Sequence, residues 1–150
     1  MVTLVDENGS LTAIPESARA LLLSDQLAHR VTVNADGSPQ LSVVWVGLDD
    51  DEIVLGHLGT GRKLRNIGRD PRVVLSVEGT EVQPPGLKQY LIVHGNARIT
   101  EGGAPELLQE LAHTYLGPDV KFPPFDDPPA GSIVHITVDR VAGVGPWNPG

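Results

Sequence analysis

The chain has 150 residues, a formal net charge of -8 and no cysteine. This length fits a single domain over residues 1–150, and an acidic surface argues against binding to nucleic acid or to an anionic membrane, whose phosphates attract lysine and arginine. Without cysteine the chain forms no disulfide, no thiolate nucleophile and no cysteine-ligated metal site.

The N-terminal residues carry no targeting signal. Asp6 and Glu7 lie within residues 1–10, which lack the basic start and apolar run of a secretory signal. No apolar stretch approaches the roughly 20 residues that cross a bilayer. We therefore expect a cytoplasmic protein with no membrane insertion.

A short helix and a hairpin open the predicted fold. The helix begins around Ile14-Pro15, because proline suits a first turn, and ends near Asp25. Residues 29–33 and 40–48 are rich in β-branched residues and flank the turn signal Asn34-Ala35-Asp36-Gly37. These two runs are typical of antiparallel strands.

The middle of the chain returns to strands on both sides of a second helix. A third strand is predicted over 53–58, and Thr60 is a suitable cap for a helix over 61–68. Leu64 and Ile67 lie three residues apart on one face of that helix. A fourth strand follows at 73–77.

The remaining elements complete a mostly β fold. They are a loop over 79–86, a strand over 89–100, a helix opening at 102–105 and ending near 115–117, a proline-rich loop over 118–129 and a strand over 132–141. Six antiparallel strands and three short helices favour a closed or partly closed barrel with helices at its openings.

The basic residues are concentrated beside the second helix. Five of the eleven are Arg62, Lys63, Arg65, Arg69 and Arg72. Gly59-Thr60-Gly61 enters the helix there, so that backbone N–H groups, a hydroxyl and two cations converge as a phosphate requires. For the last three arginines we favour a solvated helix face paired with carboxylates. The segment is not a P-loop, so it does not imply nucleotide hydrolysis.

Several segments resemble one family. The residues are Asp36-Gly37-Ser38-Pro39-Gln40-Leu41-Ser42-Val43-Val44-Trp45, Gly56 to Lys63, Arg65-Asn66-Ile67-Gly68-Arg69-Asp70-Pro71-Arg72 and Gly143-Val144-Gly145-Pro146-Trp147. They are similar to the pyridoxamine 5'-phosphate oxidase-like split barrels, and most of all to the branch that uses the deazaflavin coenzyme F-420. The resemblance covers nearly the whole chain and implies a six-stranded antiparallel split barrel of the FMN-binding type that forms a homodimer.

The resemblance also implies a coenzyme site. It assigns the phosphate to Thr60, Arg62 and Lys63, the tricyclic ring to Gln40, Ser42, Val43 and Val44, and the closing of the pocket to Trp147 and Asn148 of the partner subunit. Gly59 and Gly61 join the predicted phosphate site because their backbone lies at the helix entrance. His57 can face the ring or polyol, although a lone strand histidine is more often a structural group. Trp45 suits either the pocket or the core.

The function implied is a coenzyme F-420-dependent reductase that passes a hydride to an enone, a quinone or a nitro compound. Two alternatives stay open: an FMN-binding oxidoreductase of the same fold, and a non-enzymatic F-420-binding or storage protein. A haem-binding split barrel is more distant because no histidine is distinguished as an axial ligand. No pair of histidines has metal-ligand spacing, and no residue is assigned as catalytic.

Overall fold

The computed structural model of the protein describes residues 2–3, 14–59 and 61–148, and at residues 2, 3, 62 and 63 it describes the backbone. The helices are α1 (Glu16–Leu22), α2 (Arg62–Arg69) and α3 (Ala104–Tyr115). The strands are β1 (Val2–Thr3), β2 (Ala28–Val33), β3 (Pro39–Val44), β4 (Gly47–Asp49), β5 (Glu52–His57), β6 (Arg72–Gln83), β7 (Leu87–Glu101) and β8 (Ser132–Val144).

The sheet curls until its two ends meet. Neighbouring strands are antiparallel in the order β3-β2-β6-β7-β8-β5-β4, with β1 added to β8. Strands β3 and β4 end this order, yet only Trp45 and Val46 separate them in the chain. The three Cα steps involved span about 11 Å at most, so the sheet ends lie close together. The predicted mostly β split barrel is confirmed.

The predicted count of six strands is too low, since the described part of the chain holds eight. One addition is β1, in a segment for which the sequence predicts no element. The other arises because the strand predicted over 40–48 is divided at Trp45 and Val46. The Val46 backbone N–H donates to the Tyr115 hydroxyl at 3.2 Å. A side chain from α3 therefore takes the place of a strand partner at this corner.

The loop predicted over 79–86 is wrong. Strand β6 continues to Gln83 and β7 begins at Leu87, which leaves three residues for the turn. The Gly86 N–H donates to the Gln83 carbonyl at 2.8 Å and closes the hairpin. Gly79 suggests a loop in the sequence, but a register shift in β6 accommodates it inside a strand.

The inner face of the barrel carries the apolar core. Its buried strand residues include Ile53, Leu55, Leu75, Val77, Leu91, Val93, Val134 and Ile136. Burial of each such side chain contributes roughly 1.5–3 kcal/mol. Helix α2 adds the predicted pair Leu64 and Ile67, both buried, so packing fixes the position of this helix beyond the end of β5.

The other helices and the long loop agree with the sequence to within a few residues. Helix α1 ends at Leu22, before the predicted Asp25, and α3 ends at Tyr115 as expected. Residues 116–131, between α3 and β8, contain neither helix nor strand. No helix within the described ranges is long and apolar enough to cross a membrane.

Candidate functional site

A cavity of about 260 Å³ opens at the free edge of β3, where the barrel is split. It is lined by Val43, Val44, Trp45, Leu55, Gly56, His57, Leu108 and Phe122. Three residues predicted for the coenzyme site, Val43, Val44 and His57, therefore meet there. Small-molecule sites usually measure about 300–1,000 Å³, so this cavity suits one ring system and not a whole coenzyme.

An aromatic cluster forms one wall of the cavity. The Trp45 ring stacks on Tyr115 with centroids 5.4 Å apart and meets the edge of Phe122 at 5.1 Å. Burial raises the pKa of the Tyr115 hydroxyl above its ordinary value, so the hydroxyl stays protonated at neutral pH. Because this hydroxyl accepts from the Val46 N–H, Tyr115 fixes the corner that carries Trp45.

Two glycines allow other elements to approach β5 closely. A Cβ at Gly56 would lie 2.9 Å from Leu108 Cγ, so the missing side chain lets α3 pack directly on the strand. Gly131 has a φ of +63°, and a Cβ there would overlap the His57 carbonyl oxygen. The chain returning from the long loop thus crosses the end of β5 beside His57.

Arg30 lies behind His57 inside the barrel. It is fully buried on β2, and its Nη1 donates to His57 Nε2 at 2.9 Å. Its Nε and Nη2 have no hydrogen-bond partner among the residues that the structure describes. Burial lowers the pKa of Arg30 to about 10, which still leaves the guanidinium charged at neutral pH.

Gln40 and Ser42, the other ring residues predicted on β3, lie on the same inner face of the strand as Val44. Gln40 pairs with Thr32 and Ser42 with Arg30 in the ladder between β3 and β2. Directly paired residues share a face of the sheet, so Ser42 lies on the same face as the buried Arg30. The structure places Gln40 and Ser42 on the strand that borders the cavity, but neither lines it.

The predicted phosphate site corresponds to the start of α2. The helix begins at Arg62, one residue later than predicted, and Gly61 occupies the cap position in place of Thr60 because its backbone is extended. No side-chain hydrogen bond caps this end among the described residues. The first helical bond runs from the Arg65 N–H to the Gly61 carbonyl, so the N–H groups before it have no partner within the helix.

The start of α2 and the cavity lie close enough together for one ligand to reach both. Five Cα steps from His57 to Arg62 span about 19 Å at most. Gly59 is exposed between them, whereas Thr60 and the side chains of Arg62 and Lys63 lie outside the described residues. Their assignment to the phosphate stays a prediction.

The later basic residues take part in local structure. Arg69 Nη2 donates to Asn66 Oδ1 at 2.7 Å and to the Val33 carbonyl at 3.1 Å. Arg72 pairs with Asp70 at 2.6 Å. The hydrogen bonds from Arg72 lower the pKa of the Asp70 carboxyl to about 2. These contacts agree with the helix-surface role that the sequence analysis favours for Arg69 and Arg72.

Trp147 and Asn148 are held within their own chain. Trp147 is 5% exposed and belongs to the core cluster, and the Asn148 side-chain amide donates to the Gly143 carbonyl at 2.8 Å. Neither lines the cavity of this chain. Their predicted role in a partner's pocket stays a prediction.

Arg30 is not among the site residues predicted from the sequence. A signal for it exists: residues 28, 30 and 32 alternate along β2, and this frame buries Ala28 and Thr32 on the inner face. A charged residue at an inner strand position is a candidate functional group. No group of three His, Asp or Glu side chains in the described ranges is arranged to hold a metal ion.

Comparisons with known proteins agree on the family. Residues 14–145 match the sequence model of pyridoxamine 5'-phosphate oxidase. A curated relative, the 5a,11a-dehydrotetracycline/5a,11a-dehydrooxytetracycline reductase of Streptomyces rimosus subsp. rimosus, is 29% identical over 79 residues. That match covers 50% of this chain and 56% of the relative, so the chain spans about half the length of the curated relative it matches.

Solved structures share the fold over most of the chain. An F420 reductase is 27% identical with a TM-score of 0.69, over 86% of this chain and 98% of that one. An FMN-binding protein from Syntrophomonas wolfei subsp. wolfei is 14% identical with a TM-score of 0.64, over 87% of this chain and 85% of that one. At the second identity the likeness shows the fold alone.

Proposed function

Because the chain belongs to the pyridoxamine 5'-phosphate oxidase family, we propose that it is an oxidoreductase that uses the deazaflavin coenzyme F-420. Its acceptor is an electron-poor small molecule such as an enone, a quinone or a nitro compound. The observation that carries this proposal is the near-complete alignment with an F420 reductase. The relative named for reducing dehydrotetracyclines supports an unsaturated acceptor.

The residues present fit such a coenzyme at two places. The start of α2 presents backbone N–H groups without a side-chain cap in the described part, which suits a phosphate. The cavity has apolar and aromatic walls with His57 as a polar side chain, which suits a flat ring. Gly59, Thr60, Gly61, Arg62 and Lys63 would hold the phosphate.

The chain's own residues position the reaction and exclude water from it. When bound, the reduced deazaflavin supplies the hydride from its C5. Trp45, Phe122 and Leu108 surround the cavity with apolar surface, which removes water and orients a planar ring. The proposal assigns no catalytic acid or base.

An FMN-dependent oxidoreductase is the second candidate. FMN would place its phosphate at the start of α2 and its ring in the cavity, as proposed for F-420. The FMN-binding protein with the same fold supports this candidate. A third candidate, coenzyme binding or storage without catalysis, rests on the small volume of the cavity, about 260 Å³. In that case little space is left for an acceptor beside the ring.

We also propose that the protein is a homodimer. Leu41 and Val43 are 58% and 55% exposed on the outer face of β3. On the same face of β2, Val31 pairs with Leu41, and Val33 lies two residues farther along; both are half-buried. Apolar side chains clustered on one sheet face are typical of an interface, and this face is adjacent to the cavity through Val43.

Titration of the purified protein with F-420 and with FMN, followed by ring fluorescence, tests the proposal. We expect F-420 to bind more tightly than FMN and the reduced coenzyme to be reoxidised when an enone, quinone or nitro acceptor is added. Tighter FMN binding with FMN-dependent turnover would favour the second candidate. Tight binding with no turnover across the acceptor panel would favour the third, and binding of neither coenzyme would refute all three.

A further inference from the structure

Arg30 is a buried cation without a carboxylate partner among the described residues. It is 0% exposed on the inner face of β2. Its Nη1 donates a hydrogen bond to His57 Nε2 at 2.9 Å. Its Nε and Nη2 are buried and have no partner in the described ranges.

Protein stability does not explain this arrangement. A buried donor without a partner costs about 1–3 kcal/mol, and a buried charge without a counter-charge costs more. Leu75, paired with Arg30 in the ladder between β2 and β6, is a fully buried apolar residue. An apolar side chain of similar length would suit the same surroundings. Replacing buried charged groups with well-packed apolar side chains often leaves stability unchanged or raises it.

The chemistry of the contact determines the state of His57. A guanidinium has only hydrogen-bond donors, so His57 Nε2 must present a lone pair to Arg30. The neutral ring then carries its proton on Nδ1. A second proton, on Nε2, would break the bond and place two cations 2.9 Å apart. The contact therefore selects one tautomer and opposes the imidazolium.

We propose that Arg30 is a positioning residue that holds His57 as the neutral Nδ1-protonated tautomer at the wall of the cavity. With a cation behind it, this wall favours an electron-rich ligand group, such as a carbonyl oxygen or an anionic ring, over a cation. The ligand part of this inference rests on the proposed function. The tautomer part rests on the contact alone.

The decisive measurement is the ¹⁵N NMR spectrum of the His57 imidazole at pH 7. The protein is labelled at histidine, and the His57→Gln variant assigns the signals. We expect the wild type to show protonated Nδ1 and unprotonated Nε2. An Nε2-protonated ring or an imidazolium in the wild type would overturn the proposal without any change to the fold.

Two Arg30 variants separate positioning from structure. Arg30→Met should keep or raise the melting temperature while His57 loses its single tautomer, and Arg30→Lys, which keeps a cationic donor, should retain more of the Nδ1-protonated form. We expect FMN and F-420 to bind Arg30→Met several-fold more weakly than wild type. A large fall in melting temperature for Arg30→Met, or an unchanged tautomer, would assign Arg30 to structure and refute the proposal.

Different results refute the proposed function and the positioning role of Arg30. If the wild type binds neither coenzyme, the proposed function and the ligand part of this inference are both refuted. The tautomer and the melting temperatures still decide whether Arg30 positions His57.

Discussion

The substitution Gly56→Ala narrows the cavity from the side of α3. The new Cβ would lie 2.9 Å from Leu108 Cγ and 3.2 Å from Leu108 Cδ2, so that side chain must move. Leu108 is half-buried and lines the cavity, and it can move into that space. We therefore expect a stability loss near the lower end of the roughly 1–3 kcal/mol that overpacking costs, and a loss of ligand space.

Gly47→Ala is the matched control. Its Cβ would also lie 2.9 Å from a leucine of α3, at Leu111 Cδ2. Leu111 is 6% exposed and does not line the cavity, so it has less room to move. We expect this variant to lose more stability, at about 2–4 °C of melting temperature per kcal/mol, and to keep its coenzyme affinity.

Thermal unfolding and coenzyme titration by ring fluorescence measure both effects. We expect Gly56→Ala to weaken binding by about 5- to 30-fold, which corresponds to 1–2 kcal/mol. Adding Leu108→Ala to Gly56→Ala should restore part of the affinity, because it removes the displaced side chain. If Gly56→Ala leaves the affinity unchanged, or if Gly47→Ala weakens binding equally, the cavity at β5 and α3 is not the ring site.

Three further predictions concern the corner, the Asp70 pair and the outer face. Tyr115→Phe keeps the stack on Trp45 but leaves the Val46 N–H without its acceptor, so we expect a loss of about 1–3 kcal/mol in thermal unfolding; an unchanged melting temperature would contradict this. The pKa of Asp70 is lowered to about 2, so its contribution is present above its unfolded pKa of roughly 3.9 and is lost as the pH falls toward 2. Melting temperatures should therefore fall less steeply between pH 4 and 2 for Asp70→Asn than for wild type, and parallel curves would refute this. Leu41→Asp should give a monomer in size-exclusion chromatography with light scattering, whereas Leu23→Asp, at a residue of similar exposure directly after α1, should stay dimeric; the same state for both would argue against an interface on β3.

Local signals in the sequence predicted most of the barrel. The Asn34 to Gly37 turn joins β2 and β3 as expected, because turn chemistry and β-branched runs act over a few residues. The spacing of Leu64 and Ile67 predicts α2 to within one residue because both side chains face the core. These features depend on contacts between near neighbours in the chain.

The errors arise where distant parts of the chain determine the structure. The break at Val46 depends on Tyr115, 69 residues away, and no local pattern reveals that contact. The extension of β6 depends on pairing with β7, which outweighs the loop preference of Gly79.

The candidate site was predicted in part for the same reason. Val43, Val44 and His57 meet at one cavity, whereas Gln40 and Ser42 on the same strand do not line it. Arg30 was missed because its significance depends on His57, 27 residues away. A charged side chain that alternates with buried residues along a strand is the sequence signal for such a group.

The affinity difference between F-420 and its unphosphorylated chromophore tests most directly whether the start of α2 binds the coenzyme phosphate. Each dissociation constant is measured for the wild type, for Lys63→Ala and for Lys88→Ala, whose lysine is exposed on β7. A charge-assisted phosphate contact contributes about 1.5–3 kcal/mol. We therefore expect Lys63→Ala to weaken F-420 binding about 10- to 100-fold and to leave binding of the unphosphorylated chromophore nearly unaffected. The control Lys88→Ala should not weaken F-420 binding in this way. Equal weakening of both ligands, or no weakening of either, would contradict phosphate binding at the start of α2.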